Sequence, residues 1–404
     1  MLKVAVIGGG ASGLMAAITA ASNGAQTVIY EKNERMARKL MITGKGRCNV
    51  TNSADNEALQ KAVIRNPKFM YSAFSEFNSA DTIRFFENEN IALKTERGGR
   101  VFPMSDKAVT IVDALVNKAK KCGVKFLHKE VFSVSNDLII NNTDKFDRII
   151  IATGGASYTS TGSTGDGYKF AKSLGHTVTE VLPSLVPIES NDEWCSSLSG
   201  LSLKNVTFSV FNSSKNKLCF KEMGEMLFCH FGISGPLVLS ASAHIDFNKD
   251  SYYSLIDLKP ALSEDVLDKR LVRELSDAKT KEIQNIIGKI APVNLGKVLL
   301  HLSEIPLTTK CCDVTREMRK KLLYTIKNLR VNLTKFRPIN EAIITRGGVS
   351  VKEINPKTME SKIVSGLYFA GEVIDVDAYT GGYNLQIAFS TGFVAGKNAG
   401  NKGE

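Results

Sequence analysis

The beginning of the chain has short apolar runs and glycine turns in a pattern that predicts strand, helix and strand. Residues 2–7 are mostly apolar and end in glycines, and a helical pattern follows from Ser12 to Asn23, where Gly24 ends it. A second apolar run, Thr27–Tyr30, ends at Glu31. Short buried strands on either side of a helix are typical of a parallel β-α-β unit.

The middle of the chain contains helical and strand patterns of several lengths. Helical spacing covers residues 56–95 and 108–121, and Gly123 ends the second helix. The apolar run Asp147–Ala152 closes on a glycine turn, which predicts a buried parallel strand. Further strands are predicted at Lys125–Leu127, Val131–Val134, Leu138–Ile140, Val206–Phe211, Leu218–Phe220 and Tyr252–Leu258.

The pattern changes near residue 190 and changes back near residue 343. Residues 263–330 are helical in pattern, with breaks near Pro292 and Pro306, and glycine-rich turns return at Gly347-Gly348. We therefore predict an α/β fold with a discontinuous nucleotide-binding domain and two inserted domains. The nucleotide-binding domain covers 1–190 and 343–404, the inserted β domain covers 191–262, and the inserted helical domain covers 263–342.

The glycines after the first strand follow the spacing Gly8-x-Gly10-x-x-Gly13. Gly8 permits a tight turn, Gly10 lets the backbone approach a pyrophosphate, and Gly13 lets the helix lie close to the sheet. The helix N-terminus offers N–H groups to the phosphates, and Glu31 is correctly spaced to accept hydrogen bonds from a ribose. The sequence therefore predicts a dinucleotide site, which also includes Ala11, Ser12 and Lys32.

Three later segments favour flavin over nicotinamide as the bound dinucleotide. The strand Asp147–Ala152 ends in Thr153-Gly154-Gly155, and a late apolar run ends in Gly371-Glu372, which supplies a carboxylate. The segment Gly381-Gly382-Tyr383-Asn384 then opens a predicted helix, Leu385–Gly396, whose N-terminus is expected to stabilise negative charge on a reduced flavin ring. The three segments in this order predict FAD.

A second Gly-x-Gly-x-x-Gly turn after a strand is absent from the sequence. If NAD(P)H reduces the flavin, we expect it to bind as a transient co-substrate rather than in a domain of its own. Seven cysteines without Cys-x-x-Cys spacing argue against a disulfide framework or a zinc site, and the histidines lack metal-ligand spacing. No histidine lies beside a flavin motif, so noncovalent FAD and no metal are predicted.

The composition of the 404-residue chain does not identify a binding partner, but it does indicate where the protein is located. The net charge of +11 permits nucleic-acid binding. The excess is spread along the chain, and its densest run, between Arg316 and Arg330, is interpreted as a solvated helix face, so nucleic acid is not the favoured partner. No apolar stretch approaches a membrane span and no signal peptide is recognised, so a cytoplasmic protein without membrane contact is expected. The oligomeric state is left open.

The segment Arg38–Asn52, with the sequence RKLMITGKGRCNVTN, resembles the aminoacetone-oxidase-like NAD(P)/FAD-dependent flavoproteins. That family includes 3-dehydro-bile-acid Δ4,6-reductases. The resemblance covers essentially the whole chain, and it implies a Rossmann-like FAD domain of the two-dinucleotide type with an inserted β-barrel-like and helical module. Further matching segments are Arg97–Pro103, Gly162–Gly167, Leu227–Pro236, Gly371–Asp377 and Gly382–Gln386.

The resemblance also implies further cofactor-binding residues. The glycine loop is expected to wrap the pyrophosphate and ribityl part of FAD, and Val131 is expected to meet the adenine through its backbone. Two residues depart from the family pattern: Cys229 stands where threonine is expected, and Arg346 where a small residue is more common. The residues carried over are Lys39, Thr43, Gly44, Gly46, Arg47, Cys48, Asn49, Val131 and Asp377.

The catalytic group is less clear than the cofactor site. Tyr383 and His230 are candidates for a proton donor, and Arg97 and Arg100 are candidates for binding a carboxylate or the phosphates of a nicotinamide cofactor. The first hypothesis is an FAD-dependent oxidoreductase that uses NAD(P)H to reduce an activated C=C bond of an enone or dienone, for which the resemblance suggests a steroid or bile-acid-like substrate. An FAD-dependent amine oxidase of the aminoacetone type is the alternative, and a flavin-containing RNA-binding or RNA-modifying protein is a third hypothesis.

Overall fold

Five parallel strands form the central sheet of the nucleotide-binding part of the protein. The computed structural model, which describes residues 1–401, orders them Leu367–Phe369, Arg148–Ile151, Lys3–Ile7, Gln26–Tyr30, Lys125–Leu127. The two neighbours of the first strand, Lys3–Ile7, lie on opposite sides of it, so the strand order reverses there. In sheets of this kind, ligands bind beyond the carboxyl ends of the strands at such a reversal.

The last helix, Tyr383–Gly400, packs closely on the first helix, Ala11–Ser22. A Cβ atom added to Gly392 would lie 2.4 Å from the Ser12 carbonyl oxygen, and one added to Gly396 would lie 2.2 Å from that of Ala16. Only glycine allows the two backbones to come this close. The middle of the last helix, at Gly392, is therefore held in close contact with Ser12 in the first turn of the first helix.

The remaining elements of this part surround the parallel sheet. Three small antiparallel sheets pair Thr51–Asn52, Arg100–Pro103 and Leu93–Glu96 in that order, Leu182–Ser184 with Ile344–Arg346, and Ile139–Ile140 with Asp144–Lys145. The α-helices are Arg38–Ile42, Asn56–Ala62, Tyr71–Glu76, Ser79–Asn88, Ala108–Lys121 and Asp166–Ser173. The 3-10 helices are Thr43–Gly46, Pro67–Met70, Thr159–Thr161, Ile339–Glu341, Val351–Glu353 and Gly371–Val373.

A second compact unit, Leu185–Arg337, contains a seven-stranded antiparallel sheet. Its strands are ordered Leu329–Leu333, Tyr252–Asp257, Ser202–Asn212, Lys217–Cys229, Gly232–Ser234, Ile188–Glu189, Lys335–Phe336. A single hydrophobic core joins the sheet and the helices, as Phe208 and Leu295 show. The helices of this unit are Glu193–Ser197, Pro236–Ser242, Glu264–Ser276, Val293–Leu302 and Arg316–Lys327, with 3-10 turns at Ile283–Asn285, Ile287–Lys289 and Cys311–Asp313.

The predicted α/β fold class is confirmed, and so are several individual elements. The helix predicted at 108–121 has those bounds, and the predicted buried strand is present at Arg148–Ile151. The first unit comprises Met1–Ser184 and the chain from Pro338 onward, and the domain bounds at residues 190 and 343 stay predictions. The division of the insertion into a β domain and a helical domain stays a prediction. No helix among residues 1–401 is long and apolar enough to cross a membrane.

The strand predicted at Val131–Val134 is wrong. Val131 and Val134 are buried, but the segment forms an isolated bridge between Val134 and Ile140 rather than a strand, and the Asn141 side chain bonds the backbone before that bridge. Asn141 Oδ1 accepts a hydrogen bond from the Phe132 N–H at 2.9 Å, and Asn141 Nδ2 donates to the Glu130 carbonyl at 2.9 Å. Residues 56–95 are also not one helical region, because they end in the strand Leu93–Glu96.

Candidate dinucleotide site

The three motif glycines occupy positions with different steric demands. Gly8 has φ +105°, and a Cβ atom there would lie 2.5 Å from the Ala152 carbonyl oxygen. A Cβ atom on Gly13 would lie 1.9 Å from the Gly8 carbonyl oxygen, whereas one on Gly10 would meet no described atom within 4 Å. Gly8 and Gly13 are thus required by the protein's own packing, and Gly10 leaves open space beside the turn.

The helix that starts at Ala11 has no side-chain cap, so its first N–H groups keep their capacity to bind an anion. Ser12 lies in this first turn, in contact with Gly371. A Cβ atom on Gly371 would approach Ser12 Oγ to 2.4 Å. The early glycine turn and the late Gly371-Glu372 segment are therefore in contact, as ligation of one dinucleotide by both would require.

Glu31 lies at the carboxyl end of the second strand and is buried. Its Oε2 accepts a hydrogen bond from the Gly9 N–H at 2.8 Å, and its Oε1 accepts from the backbone and side-chain nitrogens of Asn33 at 2.9 and 2.6 Å. These donors hold the carboxylate beside the glycine turn. Each oxygen retains acceptor capacity for a ribose hydroxyl.

Lys32 follows Glu31 and binds the Asp166 carboxylate at 2.6 Å and the Thr164 hydroxyl at 2.6 Å. Burial raises the pKa of Asp166, but hydrogen bonds from Lys32, Thr164 and Lys169 outweigh it and bring the pKa to about 2. Lys32 thus fixes the segment 164–166 against the second strand, and its charge is already paired.

A polar network joins four distant parts of the chain at the carboxyl end of the parallel sheet. Lys39 Nζ lies 2.6 Å from Glu372 Oε2 and 2.7 Å from Ser157 Oγ, and Ser157 Oγ donates to Glu372 Oε1 at 3.0 Å. The Thr345 N–H also donates to Glu372 Oε1 at 2.9 Å, and Thr345 Oγ1 accepts from the Ala156 N–H at 2.8 Å. We call Lys39, Ser157, Thr345 and Glu372 the carboxylate network.

The glycine loop Thr43–Gly46 contains a left-handed segment, with φ of +57° at Gly44 and +58° at Lys45. Arg47, which follows, donates to Glu96 and Asp106 and lies 4.1 Å from the centre of the Phe102 ring. Its charge is therefore neutralised by carboxylates of the protein.

Cys48 and Asn49 differ in what they offer a ligand. The Cys48 thiol is fully buried, and burial raises its pKa to about 12, so the thiol is protonated at neutral pH. Asn49 Oδ1 is buried and has no hydrogen-bond partner among the described residues, and the same holds for Thr153 Oγ1. Buried polar atoms without partners are rare, so these two fit a site that a polar group such as the FAD ribityl or pyrophosphate completes.

The Thr153-Gly154-Gly155 turn contacts the carboxylate network directly. A Cβ atom on Gly155 would lie 2.6 Å from Glu372 Oε1 and 2.3 Å from Thr345 Oγ1. Gly154 adopts φ +74°, which bends the chain away from the end of its strand. The segment therefore meets the late Gly371-Glu372 segment, as the order of the motifs predicts.

The residue before the last helix is Gly382, whose φ of +99° and approach to the Thr51 carbonyl exclude a side chain. Tyr383 is partly buried, and burial raises its pKa. Asn384 exchanges hydrogen bonds with the Ala378 backbone at 2.9 and 2.7 Å, and Leu385 packs against the hydrophobic core. The helix start is thus fixed by the chain before it, and its N-terminus has no side-chain cap.

Three predicted residues lie in other surroundings. Val131 is buried in the core of the first unit. Asp377 is fully buried, and its carboxylate accepts from Arg65 at 2.9 Å and Ser184 at 2.8 Å; burial raises its pKa and the Arg65 charge partly offsets this. His230 is an exposed turn residue of the second unit that contacts Phe231 edge-on. Tyr383 and His230 therefore belong to different units.

Sequence reasoning missed Ser157, Thr345 and Gln386. Ser157 stands just after a recognised glycine turn and Thr345 just before Gly347-Gly348, so both had a nearby signal. Gln386 is fully buried one turn into the last helix, where its Oε1 accepts hydrogen bonds from the hydroxyls of Thr51 at 2.6 Å and Thr82 at 2.9 Å. Nothing in its sequence context indicates these partners.

The parallel sheet, the glycine turn and the convergence of the later glycine segments on it define the class of the protein. It is a flavoprotein oxidoreductase with a Rossmann nucleotide-binding fold that fits FAD.

The chain belongs to the family described as HI0933-like protein Rossmann domain, whose model matches residues 2–398. It is 31% identical to a 3-dehydro-bile acid delta(4,6)-reductase of Clostridium scindens, over all of both chains. It is also 31% identical to a ribosomal RNA dihydrouridine synthase of Escherichia coli, covering 97% of this chain and 96% of that protein. Among solved structures, 3-ketosteroid delta1-dehydrogenase of Sterolibacterium denitrificans matches 99% of this chain and 100% of its own, with a TM-score of 0.50 and 12% identity, which shows the shared fold.

Proposed function

We propose that this protein catalyses the FAD-dependent reduction of a C=C bond conjugated to a carbonyl group, with NAD(P)H as the electron donor. The observation that carries the proposal is the convergence of the three glycine segments on one dinucleotide site, with Gly371 in contact with Ser12 and Gly155 in contact with Glu372. FAD, when bound, supplies hydride transfer, and the protein supplies position, charge and a proton.

The two curated relatives support the reaction class from different substrates. A delta(4,6)-reductase of a 3-dehydro bile acid and a dihydrouridine synthase both saturate a C=C bond that is conjugated to a carbonyl. This chain is 31% identical to each of them, so the similarity supports their common reaction and does not choose between their substrates.

Tyr383 is the proposed proton donor for the substrate carbon beside the reduced position. It stands at the start of the last helix, and burial raises its pKa, so the phenol is protonated at neutral pH. The positive end of the helix dipole beside Gly382 stabilises negative charge that develops there. His230 is the other candidate for the proton donor. Because it belongs to the second unit, a substitution there can be tested independently of Tyr383.

The donor is proposed to bind transiently, because the sequence carries one Gly-x-Gly-x-x-Gly turn and the dinucleotide it fits is FAD. The reaction then belongs to the class that acts on CH–CH bonds. An FAD-dependent amine oxidase remains the alternative, in which the donor is an amine and the acceptor is O2.

The substrate has two candidates. A steroid-like dienone is the first, as the bile-acid relative suggests. A uridine of ribosomal RNA is the second, and two observations favour it: the RNA-modifying relatives match the chain at the same identity, and the net charge of +11 suits an anionic partner. Composition alone disfavoured nucleic acid, so the second candidate rests mainly on these relatives.

The experiment is anaerobic mixing of the purified holoprotein with NADH or NADPH, followed through the flavin absorbance near ~450 nm. Loss of absorbance, and its return when a conjugated steroid dienone or a uridine-containing RNA is added, supports the proposal and identifies the substrate by product mass. An unbleached flavin that is reduced by amines instead supports the oxidase. A protein that takes up no FAD contradicts both.

A further inference from the structure

The turn between strands Leu93–Glu96 and Arg100–Pro103 is tied to the start of the last helix. Asn52 Nδ2 donates to the Gly98 carbonyl at 2.9 Å and to the Gly381 carbonyl at 3.0 Å. The Ser53 N–H donates to the Gly99 carbonyl at 2.7 Å. One side-chain amide therefore links the turn Arg97-Gly98-Gly99 to the residue that precedes Gly382.

The turn requires both of its glycines. Gly98 and Gly99 have φ of +78° and +73°, and a Cβ atom on Gly99 would lie 2.5 Å from Asn52 Oδ1. A turn of this shape holds the flanking arginines, Arg97 and Arg100, in a defined place. Arg100 Nε donates to the Arg97 carbonyl at 3.1 Å, which orders the Arg100 side chain further.

Some of the basic side chains around the turn have close acidic partners and others do not. Arg47 and Lys94 are neutralised by Glu96 and Asp106, with Lys94 Nζ 2.5 Å from Asp106 Oδ2. Arg100 is 47% exposed, and its guanidinium lies 3.9 Å from Glu96, the edge of ion-pair range.

Arg97 is also exposed, and it forms no ion pair within residues 1–401. Since Glu96 and Asp106 are already engaged by Arg47 and Lys94, the turn carries an excess of positive charge, supplied by Arg97 and Arg100 at its two ends. Guanidinium groups bind phosphate oxygens in pairs, which a lysine cannot do.

We propose that Arg97 and Arg100 form an anion subsite that binds a phosphate group of the second ligand at the flavin site. The phosphate belongs either to the 2′ position of NADPH or to the backbone of an RNA substrate. The proposal rests on the proposed function for the position of the flavin beside Gly382. The proposal also accounts for the two hydrogen bonds of the Asn52 side chain, because they would fix the distance between a phosphate bound at the turn and the flavin ring beside Gly382.

The test compares Arg97→Gln and Arg100→Gln holoprotein with wild type and with Arg84→Gln. Arg84 is a matched control, because it is 68% exposed and its ion pair is with Asp81 on its own helix. Equilibrium dialysis measures the dissociation constants of NADPH and NADH, and fluorescence anisotropy measures that of a labelled uridine-rich RNA at several salt concentrations. FAD content and circular dichroism check that each variant is folded.

A NADPH affinity that falls about tenfold per arginine while NADH is unaffected identifies the 2′-phosphate as the ligand. An RNA affinity that falls about tenfold with a smaller salt dependence, while NADPH is unaffected, identifies the RNA backbone. The proposal is overturned if both variants bind all three probes as Arg84→Gln does, or if the wild type shows neither a preference for NADPH nor RNA binding. The proposed function is tested separately: it fails if NAD(P)H does not reduce the flavin absorbance of the wild-type holoprotein.

Discussion

The glycine turn and the carboxylate network lie at the same edge of the parallel sheet, but they are built in opposite ways. The turn Gly8–Gly13 is local: its residues are consecutive, and Gly13 is needed because it touches Gly8. The carboxylate network is assembled from residues 39, 157, 345 and 372, each on a different segment. A motif of consecutive residues can be recognised in the sequence. A network of residues from distant segments forms only when the sheet brings those segments together.

The two regions also differ in how their polar groups are satisfied. The first-turn N–H groups after Gly10 have no side-chain cap and are available to a ligand. Both oxygens of Glu372 are already engaged by the protein, Oε2 by Lys39 and Oε1 by Ser157 and Thr345. The turn is therefore expected to act through ligand affinity and the network mainly through stability, and the following predictions test this division.

The largest effect is expected from Gly13→Ala. The new methyl group would overlap the Gly8 carbonyl oxygen, at 1.9 Å, so the helix must move away from the sheet. We expect a loss of about 3 kcal/mol in the free energy of unfolding, measured by urea denaturation of the apoprotein, together with loss of FAD uptake.

Gly10→Ala is the matched control for this variant, because a Cβ atom there meets nothing within 4 Å and the backbone is extended, with φ −80°. It should leave the unfolding free energy of the apoprotein unchanged and weaken FAD binding alone. Equal destabilisation by the two alanines would contradict the separation of packing from ligand approach.

Lys39→Met is expected to have the next largest effect. It leaves Glu372, whose side chain is 12% exposed, without its cation, and we expect a loss of about 2 kcal/mol in the free energy of unfolding. The double variant Lys39→Met/Glu372→Gln should recover part of this loss, because the unpaired charge is then removed.

The control for this pair is Lys61→Met, which removes the exposed ion pair with Glu57. We expect no change in stability from it, since exposed pairs contribute little. A double variant no more stable than Lys39→Met would show that Lys39 acts by packing rather than by charge.

The difference between the local glycine turn and the carboxylate network explains how much of the site the sequence predicts. Gly8, Gly10, Gly13 and Glu31 are recognisable because a short β-α-β unit determines their geometry from neighbouring residues. The glycine segments at 153–155 and 371–372 are recognisable as turns after strands, and their contact follows from the parallel pairing of Arg148–Ile151 with Leu367–Phe369.

What the sequence does not contain is the identity of distant polar partners. Ser157 and Thr345 become neighbours only when the loop after Gly155 approaches the strand Ile344–Arg346 within hydrogen-bond distance. The segment at 131–134 shows the opposite failure: its sequence predicts a strand, but the structure has an isolated bridge between Val134 and Ile140, and the Asn141 side chain bonds the backbone at Phe132 and Glu130.

Thr345→Val tests the network at its backbone contacts. Valine has the same shape but no hydroxyl, so the N–H groups of Ala156 and Ser157 lose the acceptor they share at 2.8 and 3.2 Å. We expect a loss of about 1–2 kcal/mol in the free energy of unfolding, measured by urea denaturation. Thr345→Ser, which keeps the hydroxyl, should restore most of it; if serine is as destabilising as valine, the methyl group and not the hydrogen bonds accounts for the effect.

The smallest effect is expected from a third assembled contact, the hydrogen bond between His176 Nε2 and Ser361 Oγ at 2.7 Å. His176 is buried against Phe369, and burial lowers its pKa, although the nearby Glu353 partly opposes this. The native imidazole therefore takes up a proton less readily than the histidine of the unfolded chain, whose pKa is about 6.5, so the native state loses stability as the pH falls through that value.

Between pH 7 and 5.5, this histidine is expected to lower the free energy of unfolding by up to about 1.4 kcal/mol, measured by urea denaturation at each pH. His176→Gln, which has no proton to take up in this range, should show a shallower decline than wild type even if it is less stable at pH 7. Carboxylates such as Asp166, whose low pKa stabilises the native state until the pH falls below about 4, do not contribute to this window. An unchanged slope in His176→Gln would mean that the imidazole is protonated in the native protein as easily as in the unfolded chain.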